Sequence, residues 1–459
     1  MRKTILGTLA ITLLAACGKG DKPQPTTAPT TAAPTTAPPT TAAPTTAAPT
    51  TPTEADAGPT PTTAAAPDAA APEPPVPTEP ATEIVLWHSF RAGELEAFDK
   101  VVANYNASQK KVYVKSHAIP FDPFVDKITV TVPRGEGPDL FIFAHNMIGN
   151  WVDKGVLEPI SGMVDGEYLK QFTPWSVKAL VYQKSLYGLP LAFKSLVMFY
   201  NKKLIPEPAA TMEELIEQVK PLQKPDERFG IVYQAGGLYF HAMWFHAFGG
   251  AVFDDNHQPA FDTPAQVAGL EFVRTLHMDH KVLPAGVGGF MVTSLFNEGN
   301  AAVVFNGPWF LAELTPSDKL DFGIKMIPTV QGKQPKPFLG IESLFVSKTS
   351  KHKEAAIQAA LYLAGEESAR ERMTTGKQPV CHAKVLAEGA AADPMMKVFM
   401  DQADQAVLMD ATPQMQLMWT PGDTAISAGI FVADRKPAAE LKKAQAKALA
   451  EIKRAEQPQ

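Results

Sequence analysis

A set of aromatic side chains in this sequence stands beside turn residues: Trp87, Phe143, Trp151, Tyr239, Phe240, Trp244, Trp309 and Trp419. A flat apolar ring next to hydrogen-bonding groups suits a sugar, which carries axial C–H groups on its faces and hydroxyls around its edge. Packing is the competing use of the same residues, and about half of the set is expected to be core. Catalytic chemistry finds no comparable footing. There is no Gly-Lys-Ser/Thr phosphate loop, no Gly-x-Ser-x-Gly elbow and no His-Glu-x-x-His among the 10 histidines. His277, Asp279 and His280 have helical spacing, but nothing specifies further ligands, so a surface polar turn and no metal are expected. Asp254 and Asp255, in "AVFDDNHQPAF", read as a turn. No pair of acids for glycoside hydrolysis can be picked out, and no cofactor is implied.

The elements that must position these groups alternate in type. "EIVLWHSF" (83–90), "KVYVKSHAI" (111–119) and "DLFIFAH" (139–145) read as strands, with a helical pattern in "ELEAFDKVVANYNAS" (94–108) and a helix restarting at "NMIGNWVDKG" (146–155). Two short strands and a turn follow in 185–205. "AAIQAALYLAGEESARERM" (355–373) and "PAAELKKAQAKALAEIKRAEQ" (437–457) are amphipathic helices, the last with a solvated Lys-rich side. The order is α/β with a largely parallel sheet. In such sheets ligands collect outside the carboxyl ends of strands. "FAHN" (143–146), "AFKS" (192–195) and "FNGPW" (305–309) fall at such ends. In the third, Asn306 and Gly307 stop an apolar strand, Pro308 sets the first helical φ, and Trp309 is held where the strand ends.

The ends of the chain are of another kind. Arg2 and Lys3 precede an apolar run from Ile5 to Ala16, the length of a signal-peptide core and too short to span a bilayer. It closes in "LLAAC", which resembles a bacterial lipobox and implies cleavage after residue 16 and lipidation of Cys17. From there to residue 82 the chain is a Pro/Thr/Ala-rich linker expected to be disordered, extended and partly polyproline II. Its reach is about 200 Å at full extension. The formal charge of −6 and the lack of a basic stripe argue against a nucleic-acid partner. Only one cysteine, Cys381, remains besides Cys17, so no intramolecular disulfide framework supports the fold.

From "GPDLFIFAH", "YGLPLAFKSLVMFYNKKLIPEP", "NGPW", "GIKMIPTVQGKQPKPFLGI" and "TPQMQLMW", in that order, the sequence resembles the family 1 extracellular solute-binding proteins of ABC importers, and within them the maltose/maltodextrin binders. The resemblance implies a two-lobed periplasmic-binding-protein-like α/β fold. Lobe 1 would take 83–192 plus 344–392, and lobe 2 would take 193–343 plus 393–459, closing by hinge over a ligand. It implies a monomer that does no chemistry, with an oligosaccharide, ABC permease subunits and, through its lipid anchor, the membrane as partners. The folded part would work outside the cytoplasm at the cell envelope.

Residue by residue, the resemblance places stacking platforms at Trp309, Tyr239, Phe240 and Trp419, with Phe143 in place of a tryptophan. The polar half departs from the family. Asn146 and Met147 stand where maltose binders have an acid and an arginine, and Lys194 stands where they have a glutamate. Gly237 replaces a further glutamate, Arg91 an aspartate and Asp423 an arginine. Arg91 and Lys194, if both line the cleft, would accept an anionic or differently hydroxylated ligand. Glu342, in "LGIES", is either a replacement hydroxyl acceptor or part of a surface loop. The leading expectation is a maltodextrin-like ligand. A different oligosaccharide, a sensing or adhesion module, and an anchored carbohydrate hydrolase remain as alternatives.

Overall fold

The computed structural model describes residues 81–457. The expected signal peptide, Cys17 and all but the end of the expected linker lie outside the described residues. Among the described residues no helix is long and apolar enough to cross a membrane.

Among the described residues, twelve strands follow in chain order: β1 Thr82–His88, β2 Val112–Ala118, β3 Leu140–Ala144, β4 Val181–Tyr182, β5 Ser185–Leu186, β6 Gly188–Lys194, β7 Val197–Asn201, β8 Phe229–Val232, β9 Ala301–Asn306, β10 Phe322–Lys325, β11 Phe338–Val346 and β12 Val407–Leu408. They form two main sheets. The first runs β12-β11-β3-β1-β2, with β6 also paired to β11; the second runs β10-β7-β9-β8. β1 is parallel to β2 and β3, whereas β11 is antiparallel to β3 and β6. The chain therefore passes from the first sheet to the second over Ser195 and Leu196, and returns between β10 and β11.

Alternation decides where each side chain of the second sheet is buried. Val197, Phe199, Val232 and Val304 share one apolar cluster with the first sheet. Met198, Tyr200, Ile231, Val303 and Phe305 face a second cluster, built with the helices Leu238–Ala247, Pro264–Met278, Pro413–Phe431 and Pro437–Ala455. In the last helix Leu441, Ala444, Ala448 and Ile452 repeat at helical spacing on the buried side, while the lysines stay outside.

The sheets are mixed and not largely parallel as expected, because β7 runs antiparallel to its neighbours β9 and β10, and β11 to β3 and β6. Two elements also differ from the sequence reading. The helix expected over 355–373 is two helices, Lys353–Ala364 and Glu366–Thr374, because Gly365 between them takes an extended conformation. Glycine is the residue with most to lose in a helix interior, so the break falls there. After Asn306-Gly307 the chain makes a six-residue 3-10 turn, Pro308–Glu313, instead of an α-helix.

Candidate functional site

The helix Ala92–Ser108 starts where β1 ends, and Glu94, in its first turn, is buried. Its carboxylate accepts from Lys194 Nζ at 2.7 Å and from Gln378 Nε2 at 3.1 Å. Lys194 ends β6 opposite Gly340 of β11, so Glu342, two residues further along β11, is its diagonal cross-strand neighbour at 3.5 Å. The β6–β11 register shifts between Glu342 and Ser343, a bulge of the kind that re-aims side chains beside functional sites. One ammonium is thus shared by two carboxylates. The carboxylates hold Lys194 above the usual lysine range in spite of its burial. Glu342, with the longer contact, is pushed up to about 7 by burial, against the pull of Lys194. A fourth charge lies behind them: Arg372 is buried, brought down to about 10 by burial, and its guanidinium has no hydrogen-bond partner among the described residues.

His145, just past β3, fixes this corner. Its Nδ1 accepts from the Ile341 N–H at 3.0 Å, which leaves Nε2–H to donate to the Met409 carbonyl at 3.0 Å. Burial keeps the ring neutral, with a pKa lowered to about 4. Asn146 is also buried, and its backbone carbonyl accepts from Gln416 Nε2 at 2.9 Å, tying the first sheet to the helix Pro413–Phe431.

Facing the charged group is a row of rings. Trp309 lies with its ring centroid 5.9 Å from Lys194 Nζ. Tyr239 is 6.2 Å from Trp309 and 6.2 Å from Phe338, and Phe338 is 6.2 Å from Trp419. Phe240 packs edge-on to Tyr239 at 5.5 Å. Asp423 Oδ1 accepts from the Leu238 N–H at 2.7 Å and so caps the helix that carries Tyr239 and Phe240. The Trp309 indole folds back over Gly307. A Cβ on that glycine would lie 2.1 Å from the ring, although the glycine's own backbone, at φ −98°, suits any residue. Gly307→Ala is therefore expected to turn the indole aside without unfolding the chain. If the indole stacks on a sugar, calorimetry should then show sugar affinity falling by about 2–10-fold, the worth of one misplaced aromatic contact, while the melting temperature stays near that of the parent.

Other residues are placed elsewhere. Phe143 is buried, and its ring stacks with Phe124 at 5.2 Å and Phe121 at 5.3 Å. The open aromatic surface on this side belongs to Phe121, 59% exposed. Arg91 is mostly exposed and pairs with Glu313, whose other oxygen accepts from Thr293 Oγ1 at 2.7 Å. Glu342 lies in a strand and is not in a surface loop. Trp151 and Trp244 are core, each with its indole N–H donating to a hydroxyl. Trp87 packs under Lys127. The sequence reading missed Glu94, Gln378 and Phe338. Glu94 had a signal: it shares helical spacing with Phe98, Val101 and Tyr105, an acid on an apolar stripe.

The arrangement offers flat apolar surfaces on one side and hydrogen-bonding carboxyl groups on the other. Comparison with known proteins agrees in kind. The family model described as "Bacterial extracellular solute-binding protein" matches residues 91–370. The chain is 29% identical to the maltotriose-binding protein of Pyrococcus abyssi, over 73% of this chain and 75% of that one. It is also 29% identical to the galactooligosaccharide-binding protein of Bacillus subtilis, over 80% and 90% of the two chains. The solved maltotriose-binding protein of Thermus thermophilus, bound with maltotriose, superposes with a TM-score of 0.73 at 28% identity, covering 80% of this chain and all of that one. Two lobes built on two sheets, a row of rings across from buried carboxylates, and a family match over most of the folded chain converge on one conclusion: this chain belongs to the bacterial extracellular solute-binding proteins.

Proposed function

We propose that this protein is the lipid-anchored receptor of an ABC sugar importer, binding a neutral, maltodextrin-like oligosaccharide between two lobes, 83–192 with 344–392 and 193–343 with 393–459. The observation that carries the reading is the set of partly exposed rings Trp309, Tyr239 and Trp419, the last two packed against buried Phe338, which offers a sugar several apolar faces. The names of the relatives, a maltotriose binder and a galactooligosaccharide binder, support an oligosaccharide and leave two linkage types to compare. Closure of the lobes would follow from tighter ligand contacts in the closed state. Cys17 would carry the lipid, and the linker would let the folded part reach the permease.

The charge pattern supports a neutral ligand over an anionic one. Arg91 is engaged by Glu313, and Lys194 is flanked by Glu94 and Glu342, so neither cation is left to attract an anion. Calorimetric titration with maltotriose, β-linked galactooligosaccharides and oligouronates tests this directly. Saturable binding of a neutral oligosaccharide with no heat from the uronates is expected. Uronate binding in preference to both neutral sugars would refute it.

Glu94 and Glu342 are also a carboxylate pair, which raises hydrolysis as a second reading. A glycosidase needs one acid free to protonate a leaving group and one free to attack or to activate water. Here a single ammonium ties both, and Gln378 holds Glu94 as well. That supports binding without turnover. A reducing-end assay after prolonged incubation is expected to show no new ends.

A further inference from the structure

The last helix, Pro437–Ala455, carries charge opposite in sign to the rest of the fold. Segment 435–456 holds seven lysines and arginines against three acids, whereas in 81–434 the acids outnumber the bases by 39 to 31. One stripe holds the helix down: Leu441, Ala444, Ala448 and Ile452 are buried in the second cluster. Gln445 fastens its flank, donating to the Pro259 carbonyl at 2.6 Å and accepting from the Phe261 N–H at 2.8 Å. At about 100° per residue, Lys442, Lys443, Lys447, Lys453 and Arg454 fall on the arc opposite that stripe, and all are exposed. Within the helix only alanines stand between them, so no carboxylate shares the arc.

The acids lie at its margins, and two of them are committed. Glu440, buried, accepts from Lys443 at 2.7 Å and from Arg435 at 3.4 Å, and Glu451 is 3.9 Å from Lys447. Glu456 stands at the helix end, on the other margin. Lys436, Lys442, Lys453 and Arg454 have no carboxylate within ion-pair distance among the described residues. Two exposed apolar side chains accompany the patch: Leu449, 40% exposed, at its edge, and Val432, 41% exposed, just before it. A basic face edged by apolar side chains matches an anionic bilayer, which attracts the cations and shelters the apolar groups. Four of the five cations on the arc are lysines, compact charges that need no bidentate partner. Spread over about 18 Å of helix, they suit a field of mobile headgroups better than one shaped protein surface.

We propose that the outer face of the helix Pro437–Ala455 docks on an anionic lipid surface. The inference goes beyond the sugar-receptor reading. A lipid on Cys17 would hold the protein near the membrane, and the helix fixes which side of the folded part faces it. The test is cosedimentation of the full, unlipidated chain with vesicles of equal parts phosphatidylglycerol and phosphatidylcholine, and with phosphatidylcholine alone, at about 0.1 M and about 1 M salt. The parent is compared with a helix variant, Lys436→Gln, Lys442→Gln, Lys453→Gln and Arg454→Gln together. A control carries Lys110→Gln, Lys111→Gln, Lys154→Gln and Lys178→Gln, four exposed lysines on other elements. Glutamine keeps the helix propensity, so thermal unfolding should stay at the parent's. The amino-terminal apolar run is common to all three proteins, so the measured quantity is the excess binding to phosphatidylglycerol. The parent is expected to show that excess at the lower salt and to lose most of it at the higher. The helix variant should lose at least about tenfold in apparent affinity, the worth of several basic residues near an anionic surface. The control should lose less than about twofold, because charges beyond a Debye length are screened. Equal binding to both vesicle types, equal losses in the two variants, or a helix variant that binds like the parent overturns the proposal. So does parent-like vesicle binding by the helix variant alongside reduced sugar uptake in cells, which makes the face a protein contact. No sugar enters the measurement, so its failure is distinct from failure of the sugar reading.

Discussion

Replacing Trp309 by alanine will weaken oligosaccharide binding at least about tenfold, or ~1.4 kcal/mol, and leave the fold in place. The two halves of that expectation have separate origins. The fold of this corner is anchored by the neighbours of Trp309: Pro308 and Phe310 are buried, and Phe310 packs edge-on to Phe199 of β7 at 5.0 Å. Trp309 itself is half-buried, stands at the carboxyl end of β9 and leans over Gly307, between Lys194 and the rest of the aromatic row. Truncating it removes the one ring that lies beside both the charged group and Tyr239. Trp309→Phe keeps a smaller face and should recover part of the loss. Calorimetry gives the affinities, and thermal unfolding gives the control. An alanine variant that binds as tightly as the parent would exclude the stacking role.

The position of Trp309 was legible in the sequence because strand ends are legible, whereas Tyr239, Phe240 and Trp419 were reachable only through the family resemblance. An apolar run stopped by Asn306-Gly307 and restarted by Pro308 places Trp309 at a carboxyl end before any coordinates exist. The polar half was not, because ion pairing is decided in three dimensions. Arg91 and Lys194 look alike in the sequence as cations near strand ends. The fold sends one to an exposed pair with Glu313 and buries the other between two acids. Glu342 illustrates a different limit. In "FLGIESLFV" the residues on both sides are apolar and β-prone, which favours a buried strand, yet the Gly-x-Glu-Ser centre resembles a turn. Pairing with β3 and β6 on its two sides decides the matter, and such long-range pairing leaves no local mark. Phe338 was hidden for the same reason: it becomes part of the row only when β11 lies across from Tyr239 and Trp419.

Lys194→Met will have the larger effect on stability, a loss of about 3–5 kcal/mol near pH 7.5, because it leaves two buried carboxylates without their shared cation. Glu94 would keep only Gln378, and Glu342 only the distant field of Arg372. The loss must depend on pH. In the parent, burial already raises Glu342 to about 7 against the opposing pull of Lys194, and removing the ammonium raises it further. A carboxyl whose folded pKa lies above its unfolded value binds more protons in the folded state between the two. Stability therefore falls as pH rises through that window and returns as pH drops toward the unfolded value of about 4.5. The gap between Lys194→Met and the parent should thus be widest above pH 7.5 and narrow steadily toward pH 5, as read by denaturant unfolding at each pH. Adding Glu94→Gln and Glu342→Gln to Lys194→Met removes the stranded charges and should recover most of the stability at every pH. That triple variant separates two roles that the single substitution confounds. If it folds well and still binds sugar as the parent does, the ion group serves the hinge strands only. If it folds well and binding is lost, then Glu94 and Glu342 are the acceptors that face the ligand's hydroxyls, and Lys194 holds them in place.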